Sequence, residues 1–237
     1  MQNQTRSAFI LGGFISLGLI VSAWLLAGSV IQFKEYERVV QVKGLSEREV
    51  PADVAVWPIR FVAASNNLTE LYQSMNKSAE AVQKLLVAQG FSVDEITTAA
   101  PLVTDKYAER YGDQNANLRY SAMQTITVYS NQVDLVRNSQ LGLADLGKQG
   151  IAFSGDEYSQ RITYMFTQLN DLKPALIEES VQNARISAQQ FAADSDSKLG
   201  KLRIANQGQI SIQDRDDNTP YLKKIRVVST VEYYLVD

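Results

Sequence analysis

A chain of 237 residues with 45% hydrophobic and 21% charged side chains can fold as one large domain or two small ones and is too apolar to remain disordered. It has no Cys and no His, which excludes disulfides, thiol chemistry, zinc or haem sites that use those ligands, and any triad with a His base. The net charge is −3, and beyond Arg6, residues 34–237 hold 22 Lys and Arg against 26 Asp and Glu without a basic stripe, which argues against nucleic acid as a partner.

Between Ser7 and Phe33 no side chain is charged, and the 24 residues 8–31 are nearly all apolar. As a helix they would be ~36 Å long, enough to cross a hydrocarbon core of about 30 Å with some tilt. A cleavable signal has a shorter apolar core, of about 7–15 residues, so residues 1–33 are expected to stay attached as a signal anchor and single transmembrane helix. The alternative is cleavage near Ser29, where Ala27 and Ser29 are suitably small, with release into the periplasm. Arg6 and the α-amino group lie on one side, whereas Lys34, Glu35, Glu37 and Arg38 cancel on the other; the expected orientation in a bacterial inner membrane is N-terminus cytoplasmic, body periplasmic. Gly12 with Ser16, and Gly18 with Ser22, have the small-xxx-small spacing of helix contacts.

The body, 34–237, reads as one domain. Residues 37–43 alternate Val40 and Val42 with polar positions, and Gly44 is expected to break that strand. A turn at 49–53 leads to a second strand through Val54, Val56, Ile59, Phe61 and Ala63, where Pro58 suggests an edge or a bulge. Asn67 with Glu70 resembles a capping box that opens a helix with the stripe Leu71, Met75, Ala79, Val82 and Leu86, ended by Gly90. Strands at 96–107 and 120–130 flank a polar hairpin tip at 109–117. A shorter helix is expected at 133–146 and a strand with a turn at Gly155 and Asp156 over 151–167. The longest helix follows at 172–199, with apolar positions Ile177, Val181, Ala184, Ala188, Phe191, Ser195 and Leu199; Pro174 falls in its first turn, and Gly200 ends it. Strands 202–212 and 225–236 close the chain. The predicted class is α+β, an α/β sandwich of antiparallel hairpins with helices packed on the sheet, in two β-α-β-β-like halves that share it.

The runs Val40-Gln41-Val42-Lys43-Gly44 and Val50-Pro51-Ala52-Asp53, then Asn76, Gly90 and Asp94-Glu95-Ile96-Thr97-Thr98, together resemble the opening half of the SIMPL-domain family, which includes bacterial periplasmic immunogenic proteins. Tyr120-Ser121-Ala122, then Ala184, Arg185, Ala188, Phe191 and Ala192, then Leu199-Gly200, resemble its second half; Ser180 departs from the Ala usual there. The resemblance implies an envelope protein of poorly defined role, linked in some members to oxidative-stress tolerance and to ring-like homo-oligomers, and implies no catalytic residues.

Candidate chemistry is sparse. Asp214, Asp216 and Asn218 open like a calcium loop, but Thr219 stands where Gly is needed and Ile225 where a bidentate Glu should be. Ser74 with Lys77, and Ser195 with Lys198, have Ser-x-x-Lys spacing on presumed helix surfaces without the accompanying motifs. Glu178 with Glu179, and Asp216 with Asp217, are adjacent carboxylates that point apart or sit on a hairpin tip. Asn67 also begins a glycosylation sequon. Tyr107, Tyr111, Tyr120, Tyr129, Tyr158, Tyr164, Tyr221, Tyr233 and Tyr234 lie on or beside strands, suited to packing or to a ligand groove. No catalytic, cofactor-binding or metal-binding residues are expected, and no cofactor. The expected function is that of a non-enzymatic, membrane-anchored, self-associating envelope protein whose partners are itself and the bilayer; the alternatives are a binding module for a small molecule or envelope polymer, which needs a concave Tyr-lined pocket, and a carboxylate hydrolase.

Overall fold

The structure, a computed structural model, describes residues 16–24, 38–108, 117–154 and 161–236. Of the expected anchor, only helix α1, residues 16–24, lies within these, with every residue exposed; the rest of 8–31 lies outside the described residues, as do most of the hairpin tip at 109–117 and the turn at Gly155 and Asp156. Among the described residues no helix is long and apolar enough to cross a membrane.

The strands sort into two sheets rather than one. The chain runs β1 (Val39–Pro51), β2 (Val54–Ser65), α2 (Leu68–Gln89), β3 (Ile96–Thr98), β4 (Leu102–Asp105), β5 (Tyr120–Ser130), α3 (Val133–Ser139), α4 (Leu143–Lys148), β6 (Ala152–Phe153), β7 (Thr163–Met165), α5 (Leu169–Asp194), β8 (Lys198–Asp214) and β9 (Leu222–Val236). One sheet has the order β1-β9-β8; the other has the order β3-β5-β2-β6, with β4 also on β5 and β7 also on β2. The class is therefore α+β, with antiparallel pairing throughout the second sheet. The chain divides into two compact units, one of residues 1–48, 172–211 and 226–237, the other of residues 49–171 and 212–225.

In the second unit, β2 and β5 pair over eleven residues, from Ala55 opposite Ser130 to Ser65 opposite Tyr120. Pro58 is not on an edge strand: β7 pairs with Val54–Val56 and β6 with Phe61 and Val62, so the proline falls in the gap between them, where its missing N–H is not needed by a neighbour. Helix α2 buries the five predicted residues Leu71, Met75, Ala79, Val82 and Leu86. Its first amide groups are satisfied by Asn67, whose Oδ1 accepts from Thr69 N at 2.8 Å and Glu70 N at 3.3 Å. The reciprocal half of the capping box differs: the Ser65 hydroxyl accepts from Asn67 N and donates to Glu70 Oε2, standing between the two. Gly90 ends the helix in the left-handed region at φ 108°. The strand expected at 96–107 splits into β3 and β4 around Ala99, Ala100 and Pro101, and the helix expected at 133–146 breaks into α3, a 3₁₀ turn over Gln140–Gly142, and α4. The Gln89 side chain lies against Gly142 of that turn, where a Cβ would displace its Nε2 end.

Helix α5, which belongs to the first unit from Leu172 on, runs from Leu169 to Asp194, starting and stopping earlier than expected. Pro174 is then inside the helix rather than in its first turn, one amide donor short. In the turn beyond its end Asp196 takes φ 55°, while Ser197 N reaches back to Ala192 O at 2.9 Å. Leu199 and Gly200 belong to β8 instead. The buried face is Leu176, Ser180, Ala184, Ala188 and Ala192, so Ile177 and Val181 are only partly buried, and Phe191 is 59% exposed. Ala184 and Ala188 pack with Val42, Val231 and Tyr233 of β1 and β9. Strand β1 does not break at Gly44. A Cβ at Gly44 would sit 1.8 Å from Ser180 O and 2.5 Å from Ala184 N, so the strand backbone lies directly on the helix backbone, and only small residues fit on either side. At the centre of this contact the Ser180 and Ser229 hydroxyls are buried and 2.6 Å apart, and Ser180 also donates to Ile177 O.

Candidate functional site

Asp53 is the first polar residue of the resembled runs to acquire a physical role. Its carboxylate accepts from Thr167 N at 2.8 Å, Thr167 Oγ1 at 3.0 Å and Gln168 N at 3.1 Å, which satisfies amide groups immediately before α5 begins. With Asp53 N bonded to Met165 O and Ala52 N to Tyr221 O, the β1–β2 turn fixes both the segment 161–168 and the loop before β9.

Those two segments and α3 enclose a cleft of about 1020 Å³, entirely within the second unit. Arg137 and Asn138 come from α3, Arg161 and Tyr164 from the segment leading through β7, and Pro220 and Tyr221 from the loop. Tyr164 is 7% exposed and meets Tyr221 edge to face, with ring centroids 6.2 Å apart. The Arg137 guanidinium lies 3.6 Å above the Tyr221 ring and pairs with Asp134 at 2.9 Å. Burial raises the Tyr164 hydroxyl above its ordinary pKa, against the opposing pull of the Arg137 charge. Among the described residues Asp217 is the one carboxylate in the lining, whereas Arg161 is exposed and has no ion-pair partner. Sequence reasoning named Tyr164 and Tyr221 only within a larger set and missed Arg137 and Arg161, because the four converge from positions 137 to 221 with no local pattern.

The other sequence candidates are engaged elsewhere. Asp216 folds back on its own loop, accepting from Asn218 N at 2.9 Å, Thr219 N at 2.8 Å, the Thr219 hydroxyl and Arg215 Nε; the Thr219 hydroxyl first, then Arg215, lower its pKa to about 2. Asp214 pairs with Lys223. These donors occupy the oxygens that a calcium loop would need. Glu179 accepts from the Ser46 hydroxyl at 2.8 Å and lies 3.7 Å from Arg48, tying α5 to β1. Ser74 and Lys77 are exposed on α2; Ser195 and Lys198 are not on a helix, since α5 has ended and Lys198 begins β8. Tyr107 and Tyr120 flank Arg119, which forms a two-pronged bond to Asp105 at the base of the hairpin, and Tyr111 and Tyr158 lie outside the described residues. A second, smaller groove of about 510 Å³ between α2 and residues 93–96 is lined by Val87, Val93 and Ile96. Among the described residues, no group of three or more Asp and Glu side chains is placed to hold a metal ion.

A search of curated proteins finds no match to this chain. The model of the SIMPL family, described as "Protein of unknown function (DUF541)", matches residues 40–231. That span takes in Gly44, Asp53, Gly90, Ala184 and Ala188, the residues whose packing and capping were described above, and runs through both compact units; the chain belongs to the SIMPL family.

Proposed function

We propose that this is a non-enzymatic, self-associating protein of the bacterial cell envelope, anchored in the inner membrane by residues 8–31 with its body in the periplasm. Strand β8 carries this reading. It stands at the edge of its sheet, seventeen residues long, and residues 201–209 are exposed at every position. Natural edges are usually blunted by charge, proline or brevity. Here Lys198, Lys201 and Arg203 guard the beginning and Asp214 the end, and 204–212 carries no charge while Leu202, Ile204 and Ile212 remain 48%, 43% and 37% exposed. Such an edge suits pairing with a second copy, and confinement of every copy to one membrane plane raises their effective concentration. Pairing of β8 with the opposite edge strand, β1, of the next copy is a head-to-tail contact, which closes into a ring if the rotation between copies is a simple fraction of a turn.

Light scattering tests the reading on residues 34–237 in solution and on the whole chain in detergent. Oligomers are expected in both, with Ile204→Lys shifting the mass towards the monomer; monomers in both preparations at micromolar concentration would refute it. The accompanying physiological reading, a contribution to envelope or oxidative-stress tolerance, fails if a deletion strain survives peroxide as well as its parent. The cleft lined by Tyr164 and Tyr221 favours a second role alongside assembly, that of a binding module for a small molecule or envelope polymer.

A further inference from the structure

The geometry points to the ligand class for that cleft: a short saccharide chain bearing carboxylates, bound through Arg137 and Arg161. This rests on the binding-module reading and is independent of assembly. The volume, about 1020 Å³, lies at the upper end of the roughly 300–1,000 Å³ common for ligand pockets, so it suits a chain of several rings better than a lone ion. Its chemistry is mixed in a specific way. Pro220 presents an apolar surface on which the C–H face of a sugar ring can rest, and the Asn138, Gln140 and Asn218 amides can both donate to and accept from hydroxyls. Among the described residues the lining is cationic on balance, with two guanidiniums against the carboxylate of Asp217.

The two arginines have distinct parts. Arg137 is pre-oriented, its plane 3.6 Å over the Tyr221 ring, and its ion pair with Asp134 is exposed on the acid's side at 85%, a weak surface interaction that an incoming anion can displace. Arg161 makes no ion pair among the described residues and so has its planar fork available for a two-pronged bond to a carboxylate. A free phosphate would meet the same guanidiniums, but would leave the Pro220 surface and the amides unused.

The test is isothermal calorimetry on the 237-residue chain in a sugar-free zwitterionic detergent, with trigalacturonate, uncharged maltotriose and inorganic phosphate as probes. Trigalacturonate is expected to bind at least tenfold more tightly than either of the others, to weaken as salt is raised, and to lose at least tenfold on Arg161→Gln. Arg161 is exposed and outside every core cluster, so this variant keeps the fold, which an unchanged melting temperature verifies. Maltotriose binding as tightly as trigalacturonate, or trigalacturonate binding untouched by Arg161→Gln, overturns the anionic assignment while leaving a sugar-binding module in place. Phosphate matching trigalacturonate overturns the saccharide assignment. No heat with any probe removes both this inference and the binding-module reading.

Discussion

Helices α2 and α5 each lie on a sheet, yet they do so by opposite means. The buried row of α2 is Leu71, Met75, Ala79, Val82 and Leu86, mostly bulky side chains that fill the space between helix and sheet. The row of α5 is Leu176, Ser180, Ala184, Ala188 and Ala192, and after its first residue nothing larger than a hydroxymethyl group is used. What replaces side-chain volume is proximity, with Gly44 letting the β1 backbone rest on the α5 backbone. Dispersion attraction depends on close contact rather than on side-chain size, so both solutions can be well packed, but they are sensitive to opposite changes.

The largest effect should come from charge in the tight contact. Ala188→Asp places an unpaired carboxylate where exposure is 0% and is expected to cost about 4 kcal/mol, against less than about 0.5 kcal/mol for Gln189→Asp on the exposed neighbour. Equal melting temperatures for the two would mean that α5 does not pack as described. The comparison itself is sharpened by a reciprocal pair. Leu86→Ala on α2 should cost about 3 kcal/mol by leaving a cavity, whereas adding a single methyl at Gly44→Ala should cost a similar amount, about 2–3 kcal/mol, by pushing strand from helix. Urea unfolding midpoints decide it, and a neutral Gly44→Ala would break the distinction between the two helices. The smallest effect concerns the hydroxyl pair. Ser180→Ala strands the buried Ser229 hydroxyl and should cost about 1–2 kcal/mol, and the double variant with Ser229→Ala should recover most of it. A double variant no better than the single one would show that the bond between the two hydroxyls is not what holds them there.

The same contrast explains which parts of the molecule were legible beforehand. Bulky apolar residues at helical spacing announce their face, and all five buried positions of α2 followed from hydropathy, while its Asn67 and Gly90 caps followed from capping chemistry. On α5 the same reasoning chose Ile177, Val181 and Phe191, because hydropathy scores size, whereas the contact selects for smallness; the true face lies one position away from the expected one at both ends. Gly44 misled for a related reason, since glycine reads as a strand breaker in sequence and here marks close approach. Pro58 reads as an edge residue, and only the discontinuous pairing by β7 and β6 lets it sit within a sheet. The cleft was the least legible region. Arg137, Arg161, Tyr164 and Tyr221 have no common motif, and they meet only because Ala52 and Asp53 fasten two distant segments to one turn.

The order β1-β9-β8 also governs when this molecule can finish folding. Its earliest strand of the body pairs with its latest: Arg38 O accepts from Leu235 N at 2.9 Å, and the Arg38 side chain reaches Ser197 across 159 positions of sequence. The unit built on β2, α2 and β5 joins segments that are near in sequence and can form while synthesis continues, but β1 has no neighbour in its sheet until residues 222–236 exist. During that interval Val40 and Val42 wait uncovered beside a free strand edge, so the slow, vulnerable stage of folding belongs to the first strand of the body, and a ribosome that stalls before β9 would leave that strand open to pairing with another chain.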